Sequence, residues 1–247
     1  MNFEVYTECI FRSFCVHQKQ QEILKRKSEI LNEVATFHNF TPKSILYVGF
    51  NPAILVEDAE DIYVCCVSDE IQDYLKSQKI KFNNVKFSEL SSYNKFFDAV
   101  IILDEFFTFA KSDNEQKEII TLISSITKEY FITTCKDYKN QEFKDREFSL
   151  PALIRNTNKK IIYLEFHDHD IRDKNTWTSE VFEINEGVLN TYGPFARKAL
   201  FFKQLAKFSS DAGAVGFTVH KNLMYKSLIK KNYEHVISIR FDNYGYK

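Results

Sequence analysis

Apolar and polar positions along this chain fall into blocks whose period changes from helical to strand-like and back. In residues 18–38, Ile23, Leu24, Ile30, Leu31, Val34 and Phe37 recur at helical spacing among Lys, Glu and Gln, which predicts an amphipathic helix. Thr41-Pro42 closes it, because the residue before a proline avoids the α region. Ser44–Phe50 (SILYVGF) is a short apolar run closing around Gly49, the pattern of a strand buried on both faces. The alternation then repeats. Asp61–Val67 reads as a strand, Asp69–Gln78 as a helix, Asn84–Phe87 as a weaker strand and Phe97–Leu103 as a strong one. A helical segment at 113–127 and a strand at Tyr130–Cys135 follow. Strands and helices alternating at this pace predict an α/β fold with a doubly wound, mostly parallel sheet.

After Cys135 the rhythm changes. Residues 136–159 are polar and carry Pro151, which predicts a loop with one short helix. Ile161–Phe166 and Val181–Ile184 read as strands, and Asn185-Glu186-Gly187 before Val188–Tyr192 as a three-residue hairpin loop. This makes an antiparallel hairpin insertion at about 155–192. Gly193-Pro194 is expected to open a helix reaching about Ser210, proline being tolerated in a first turn. Ala214–His220 and His235–Phe241 read as late strands, joined by an amphipathic helix over Tyr225–Tyr233. The organisation expected is an N-terminal helical segment, 1–40, followed by one domain, 41–247.

Composition narrows the function classes. The 44% of apolar residues suffices for a sizeable core in a chain of 247 residues. The 33 basic and 34 acidic residues nearly cancel, and there is no basic stripe, so nothing signals a nucleic-acid partner. Five cysteines without a C-x-x-C pair predict a reducing cytoplasm. No apolar stretch approaches 18 residues and no basic segment precedes an apolar one at the start, so neither a membrane span nor a signal peptide is expected. With only six glycines, each has to be located with care.

In a doubly wound sheet, ligands bind beyond the carboxyl ends of the strands where strand order reverses. The first such turn here reads Tyr47-Val48-Gly49-Phe50-Asn51-Pro52-Ala53, and Asp69 follows at the spacing of an acid that accepts from ribose hydroxyls. The segment ILYVGFNPAIL resembles the first motif of class I S-adenosylmethionine-dependent methyltransferases, an acid followed by G-x-G-x-G. On that resemblance Gly49, Asn51 and Ala53 take the three glycine positions, Phe50 lies between the first two, and Tyr47 stands where the family has an acid that helps hold the methionine end. Asp69 takes the place of the ribose acid, with Ser68 and Glu70 as alternative registers. Glu89 in FSEL matches the acid that meets the adenine amino group. In FDAVIILDEFF, Leu103, Asp104 and Glu105 match positions facing the methyl donor.

The resemblance covers about 41–136 and implies S-adenosylmethionine as cofactor. It also implies methyl transfer to an acceptor, small molecule or protein, that the sequence does not name. Two other readings stay open. A methyltransferase-like binding or assembly module without activity accommodates Tyr47, Asn51 and Ala53. A nicotinamide-dependent oxidoreductase shares the glycine turn and the acid, but accounts for neither Glu89 nor FDAVIILDE.

His167-Asp168-His169-Asp170 is the most conspicuous polar cluster. Histidines two apart on a strand share a face and can share a metal. The cluster resembles part of the H-x-H-x-D-H pattern of metallo-β-lactamase-like hydrolases, but Ile171 and Arg172 occupy the places of its Asp and last His. The expectation is therefore no metal, and a solvated hairpin end or a rim facing the substrate. Trp177 is read either as stacking on a ligand or as plugging the hairpin against the core. Asp98, at the start of a strand, is read as scaffold. No G-x-S-x-G elbow or G-x-x-x-x-G-K-[ST] loop is present. The insertion is expected to choose the acceptor and, in a homodimer, to make the subunit contact.

Overall fold

A run of five apolar-dominated residues, β1 (Ser44–Val48), is buried along its whole length, as a strand covered on both faces must be. In the computed structural model, which describes residues 2–17, 20–50, 59–136, 146–148, 152–155, 160–170, 172–173, 175–226 and 233–241, this strand is central. β2 (Asp61–Cys65) and β4 (Phe97–Ile102) pair with it in parallel, one on each side. β3 (Asn83–Val85) continues beyond β2, and β5 (Thr127–Cys135) beyond β4. β12 (Tyr233–Arg240) is antiparallel to β5, and β11 (Gly216–Lys226) antiparallel to β12, giving the order β11-β12-β5-β4-β1-β2-β3. The doubly wound, mostly parallel sheet expected from the sequence is present, and its order reverses at β1. Asp98 is scaffold, as expected. Its carboxylate accepts from the backbone N–H of Lys43 and Ser44 and from Lys128 Nζ, each at 3.0 Å, tying the starts of β1 and β4 together.

The helices follow their local signals. α2 (Gln20–His38) buries Ile30, Leu31 and Val34; α3 (Asp69–Ser77) buries Ile71 and Leu75. α4 (Asp113–Ile126) starts on Ser112, whose hydroxyl accepts from Glu115 N–H at 3.1 Å, while the Glu115 carboxylate accepts from Lys111 N–H.

The insertion departs from its expected form. Within the polar stretch 136–159, β6 (Arg146–Phe148) and β7 (Ala152–Arg155) are strands, both pairing with β8 (Lys160–His169). Short edge strands tolerate charge and need no apolar alternation, so composition concealed them. β9 (Thr176–Asn185) and β10 (Val188–Lys198) complete a second, antiparallel sheet, β10-β9-β8-β6. Their turn has two residues rather than three. Asn185 pairs with Val188, and Glu186 and Gly187 both take left-handed backbones, φ +52° and +83°, the geometry that matches strand twist. Gly193-Pro194 lies inside β10, where register shifts between Tyr192 and Phe195, and does not open a helix. A proline lacking its N–H suits a bulge on an edge strand as well as a helical first turn. The helix α5 begins later, Phe202–Asp211, and the insertion extends to Lys198. β11 runs through Lys226 and β12 starts at Tyr233, so the ends of the helix expected over Tyr225–Tyr233 are strand; residues 227–232 lie outside the described ones.

The N-terminal helix α1 (Asn2–Val16) is buried on nearly every side, with only Glu4, Val5 and Cys15 exposed among its described side chains. Glu4, Glu8 and Arg12, four residues apart, give it one narrow charged stripe, and the rest of its surface is apolar and inside the protein. α1 lies between the carboxyl edge of the parallel sheet and the inner face of the antiparallel one. Phe3 and Thr7 meet Gly49, Phe11 and Phe14 meet Phe50, and Tyr6 meets Phe195 of β10. Arg12 reaches Glu183 of β9 at 3.0 Å, and Tyr163 of β8 donates to the same carboxylate at 2.9 Å.

At the opposite end of α2, His38 and His220 each place Nε2 on the Ser238 hydroxyl, at 2.7 and 2.9 Å. Burial, with His220 and Arg240 nearby, pushes the His38 imidazole from 6.5 down to about 4, and burial also lowers His220. The unfolded chain then binds protons that the folded one refuses. The stability from this clasp is complete above pH 6.5 and is lost as pH falls from 6.5 toward 4. Urea denaturation across that window should show the slope, and His38→Gln should flatten it.

Candidate functional site

The carboxyl ends of β1, β2 and β4 converge where strand order reverses, and most of the residues singled out in the sequence lie there. Gly49 has φ +85°, a conformation open to glycine at little cost. Its N–H donates to Cys65 O at 2.9 Å, locking the turn to β2. A Cβ at this position would stand 3.0 Å from Phe3 Cε1 and 3.5 Å from Thr7 Oγ, so α1 roofs the turn. Phe50 is buried against Phe11 and Phe14, at centroid distances of 4.9 and 5.4 Å. Tyr47 is buried within β1. Asn51 and Ala53 lie outside the described residues.

Beyond β2, Ser68 stands at the cap position of α3, and Asp69 is the first helical residue. The Asp69 carboxylate is exposed and accepts from Gln72 Nε2 at 3.3 Å. Ser68, not Asp69, therefore holds the cap position, yet its hydroxyl makes no cap bond; it is buried without a hydrogen-bond partner among the described residues. Glu89 sits in a short 3-10 turn (Phe87–Ser92), exposed, 4.0 Å from Lys86 Nζ.

At the end of β4, Leu103, Asp104 and Glu105 are all buried. Asp104 and Glu105 take consecutive left-handed backbones, φ +62° and +58°, a strained pair of the kind that gathers at functional sites. Lys27 of α2 is buried nearby. Burial pushes its ammonium pKa down and the Asp104 carboxylate pulls it back up. The reversal after Asp104 aims Glu105 at the insertion, where its carboxylate accepts from Arg197 Nη2 at 2.8 Å.

Arg197 is only 2% exposed. Its Nε donates to Thr108 Oγ1 at 2.7 Å, its Nη1 lies 3.7 Å from Glu165 Oε1, and its guanidinium lies 4.0 Å from the Phe109 ring centre. His167 Nε2 is 3.7 Å from the same Glu165 oxygen. Burial, and after it the Glu165 charge, raises Tyr6 on α1 well above the ordinary phenol value.

The cluster His167–Asp170 divides by face. His167 and His169 turn inward and stack at 6.4 Å, and His169 lies 5.5 Å from Trp177. Asp168 and Asp170 face out, Asp168 lying 3.5 Å from Arg146. His169 and Trp177 are buried, so the expected solvated hairpin end is corrected to the inner wall of the insertion. Strand alternation is the reason: β8 turns its odd-numbered side chains to α1. Among the described residues no three His, Cys, Asp or Glu side chains gather as metal ligands. A cavity of about 600 Å³ is lined by His169, Trp177 and Arg197 together with Asp168, Asp170 and Arg146. Sequence reasoning missed Arg197 and Glu165, which have no local signature. It placed a helical segment over 1–40 but gave no sign that its first helix lies against the Gly49 turn.

No family model matches the sequence, and no curated protein does. Solved structures do match. A SAM-bound amino pentose methyltransferase of calicheamicin biosynthesis, from Micromonospora echinaspora, superposes with a TM-score of 0.68 over 96% of this chain and 97% of its own, at 9% identity. The chain has the class I methyltransferase fold. An S-adenosylmethionine-dependent methyltransferase from Clostridium acetobutylicum gives 0.64 at 12% identity, over 88% and 91% of the two chains. A sugar N-methyltransferase from Streptoalloteichus gives 0.63 at 12%, over 88% and 87%. The fold implied by the motif resemblance thus extends beyond residues 41–136, over up to 96% of the chain. No helix among the described residues is long and apolar enough to cross a membrane.

Two stability measurements check this geometry within the methyltransferase fold. Arg197→Ala strips the guanidinium from two buried carboxylates and should cost about 3–5 kcal/mol in chemical denaturation. Adding Glu105→Gln should return part of that loss, because the two sites are coupled. Gly49→Ala should cost about 1–2 kcal/mol, from the left-handed backbone alone, plus any displacement of Phe3.

Proposed function

We propose that this chain is an S-adenosylmethionine-dependent methyltransferase whose acceptor lodges against the antiparallel insertion, beside His169, Trp177 and Arg197. The observation that carries this reading is the left-handed Gly49 with the buried Thr7 hydroxyl beside it and the buried Ser68 hydroxyl beyond β2, neither with a partner among the described residues. Folded interiors rarely leave such groups unsatisfied. Together with the exposed carboxylate of Asp69, they are a donor and acceptor set that fits an adenosyl group. Gly49, Phe50 and the 51–53 loop would lie along it, Asp69 would accept from the ribose hydroxyls, and Glu89 would meet the adenine amino group. Leu103 and Asp104 would face its reactive end. When bound, the group supplies an electrophilic methyl.

The chain's own residues do the rest. α1 excludes water from the carboxyl edge, and the Arg197–Glu105 pair holds the insertion in register over it. Catalysis of this kind rests mainly on placing the acceptor in line. A cavity of about 600 Å³ is the size of a small-molecule site, and Trp177 with His169 offers a flat wall for a ring. The neighbours described as acting on an amino pentose and on a sugar nitrogen support a small polar acceptor. Five free cysteines support a reducing cytoplasm as its location. Ile184, Val188 and Leu189, exposed at the hairpin tip, support a homodimer contact through the insertion.

A second reading, a methyltransferase-like module without turnover, draws on the buried Tyr47 and on the Phe3 ring set against Gly49. Calorimetry with S-adenosylmethionine, S-adenosylhomocysteine and NADH separates the readings. The expected result is binding of both adenosyl ligands, weakened at least about tenfold in Asp69→Ala with an unchanged melting temperature, because Asp69 is exposed. Binding of neither ligand at millimolar concentration favours the inactive module, and binding of NADH alone favours the oxidoreductase.

A further inference from the structure

α1 carries two hydroxyls that the helix treats differently. Ser13 Oγ donates to Cys9 O at 2.9 Å, the usual way a helical hydroxyl satisfies itself. Thr7, 0% exposed, makes no such bond and has no hydrogen-bond partner among the described residues. Its oxygen points at the Gly49 turn, 3.5 Å from where a Cβ would stand. One turn earlier the Phe3 ring covers the same glycine and packs at 4.7 Å on Phe106, just beyond the end of β4. Valine has nearly the shape of threonine and would occupy this apolar setting without an unsatisfied group, so the hydroxyl costs stability unless a ligand group meets it.

The order of groups along the sheet edge says which part of a ligand Thr7 meets. Ser68 and Asp69 follow β2, Gly49 with Thr7 above it follows β1, and Asp104 follows β4. With the ribose at Asp69, the amino-acid end of an adenosyl ligand runs past Gly49 toward β4. That is also the end for which Tyr47, buried and not acidic, offers no carboxylate.

We infer that Thr7 is a ligand-binding residue, its hydroxyl contacting the charged amino-acid end of the cofactor at the Gly49 turn; this rests on the methyltransferase reading. A hydroxyl serves either charge, since it donates to a carboxylate and accepts from an ammonium. α1 is therefore a wall of the binding site as well as part of the core.

The test compares S-adenosylhomocysteine with 5′-methylthioadenosine, which keeps the adenosine and the thioether and lacks the amino-acid end. Calorimetry and thermal melts are run on the full chain as wild type, Thr7→Val and Thr7→Ser. Thr7→Val should weaken S-adenosylhomocysteine about tenfold or more, leave 5′-methylthioadenosine unchanged, and melt without ligand at or above the wild-type temperature. Thr7→Ser should restore most of the lost affinity. Equal weakening of both ligands, or no change in S-adenosylhomocysteine binding, would overturn the assignment of Thr7 while leaving the cofactor reading intact. A wild-type protein that binds neither ligand would overturn the cofactor reading and the Thr7 assignment with it.

Discussion

Burial of α1 from both sides is the constraint on which the rest of the structure depends. A fifteen-residue helix carrying Phe3, Tyr6, Cys9, Ile10, Phe11, Phe14 and Val16 gives water only a narrow stripe around Glu4, Val5, Glu8 and Cys15. It is covered by two sheets that also meet directly through Arg197, Glu105 and Thr108. The parallel sheet offers Gly49, Phe50 and the Phe106–Phe109 turn, and the antiparallel sheet offers Tyr163, Glu183 and Phe195. α1 fills the space between the insertion and the carboxyl edge and helps hold the one over the other.

Polar groups caught in this interior have to be matched, and the matching is what gives the arrangement its precision. Hydrophobic contact alone would allow the antiparallel sheet to slide over α1. Arg197 hydrogen-bonded to Glu105 and Thr108, Arg12 paired with Glu183, and Glu165 set between Arg197 and His167 each tolerate little displacement. Buried ion pairs add little net stability relative to apolar packing, but they penalise every register except one. Glu105 can take part only because Asp104 and Glu105 both accept a left-handed backbone. Strain at the end of β4 is thus coupled to the placement of the insertion.

The same geometry explains why this edge suits a ligand. Doubly wound sheets leave a crevice where strand order reverses, and here that crevice is roofed by a helix lined mostly with aromatic rings. Against such a surface, two unsatisfied hydroxyls and one exposed carboxylate stand out as the groups with something left to bind.

The sequence by itself determined the parallel half of the fold. β1 to β5 and the helices between them were legible because strands buried on both faces are continuous apolar runs, and surface helices carry a 3.6-residue stripe. Both signals are local. Gly49, Asp69 and the LDE segment could be placed for the same reason, since strand ends follow from strand patterns. Only the tertiary structure decided the insertion and the interior. Gly193-Pro194 is compatible with a helical first turn and with a bulged edge strand, and only pairing with β9 selects the strand. His167 and His169 face inward because β8 has α1 on one side and not the other. Arg197 meets Glu105 across 92 residues of sequence. Thr7 meets Gly49 because a helix at the start of the chain is carried across the sheet edge. Such pairings depend on where separately formed elements come together in space, and no local pattern of residues encodes that.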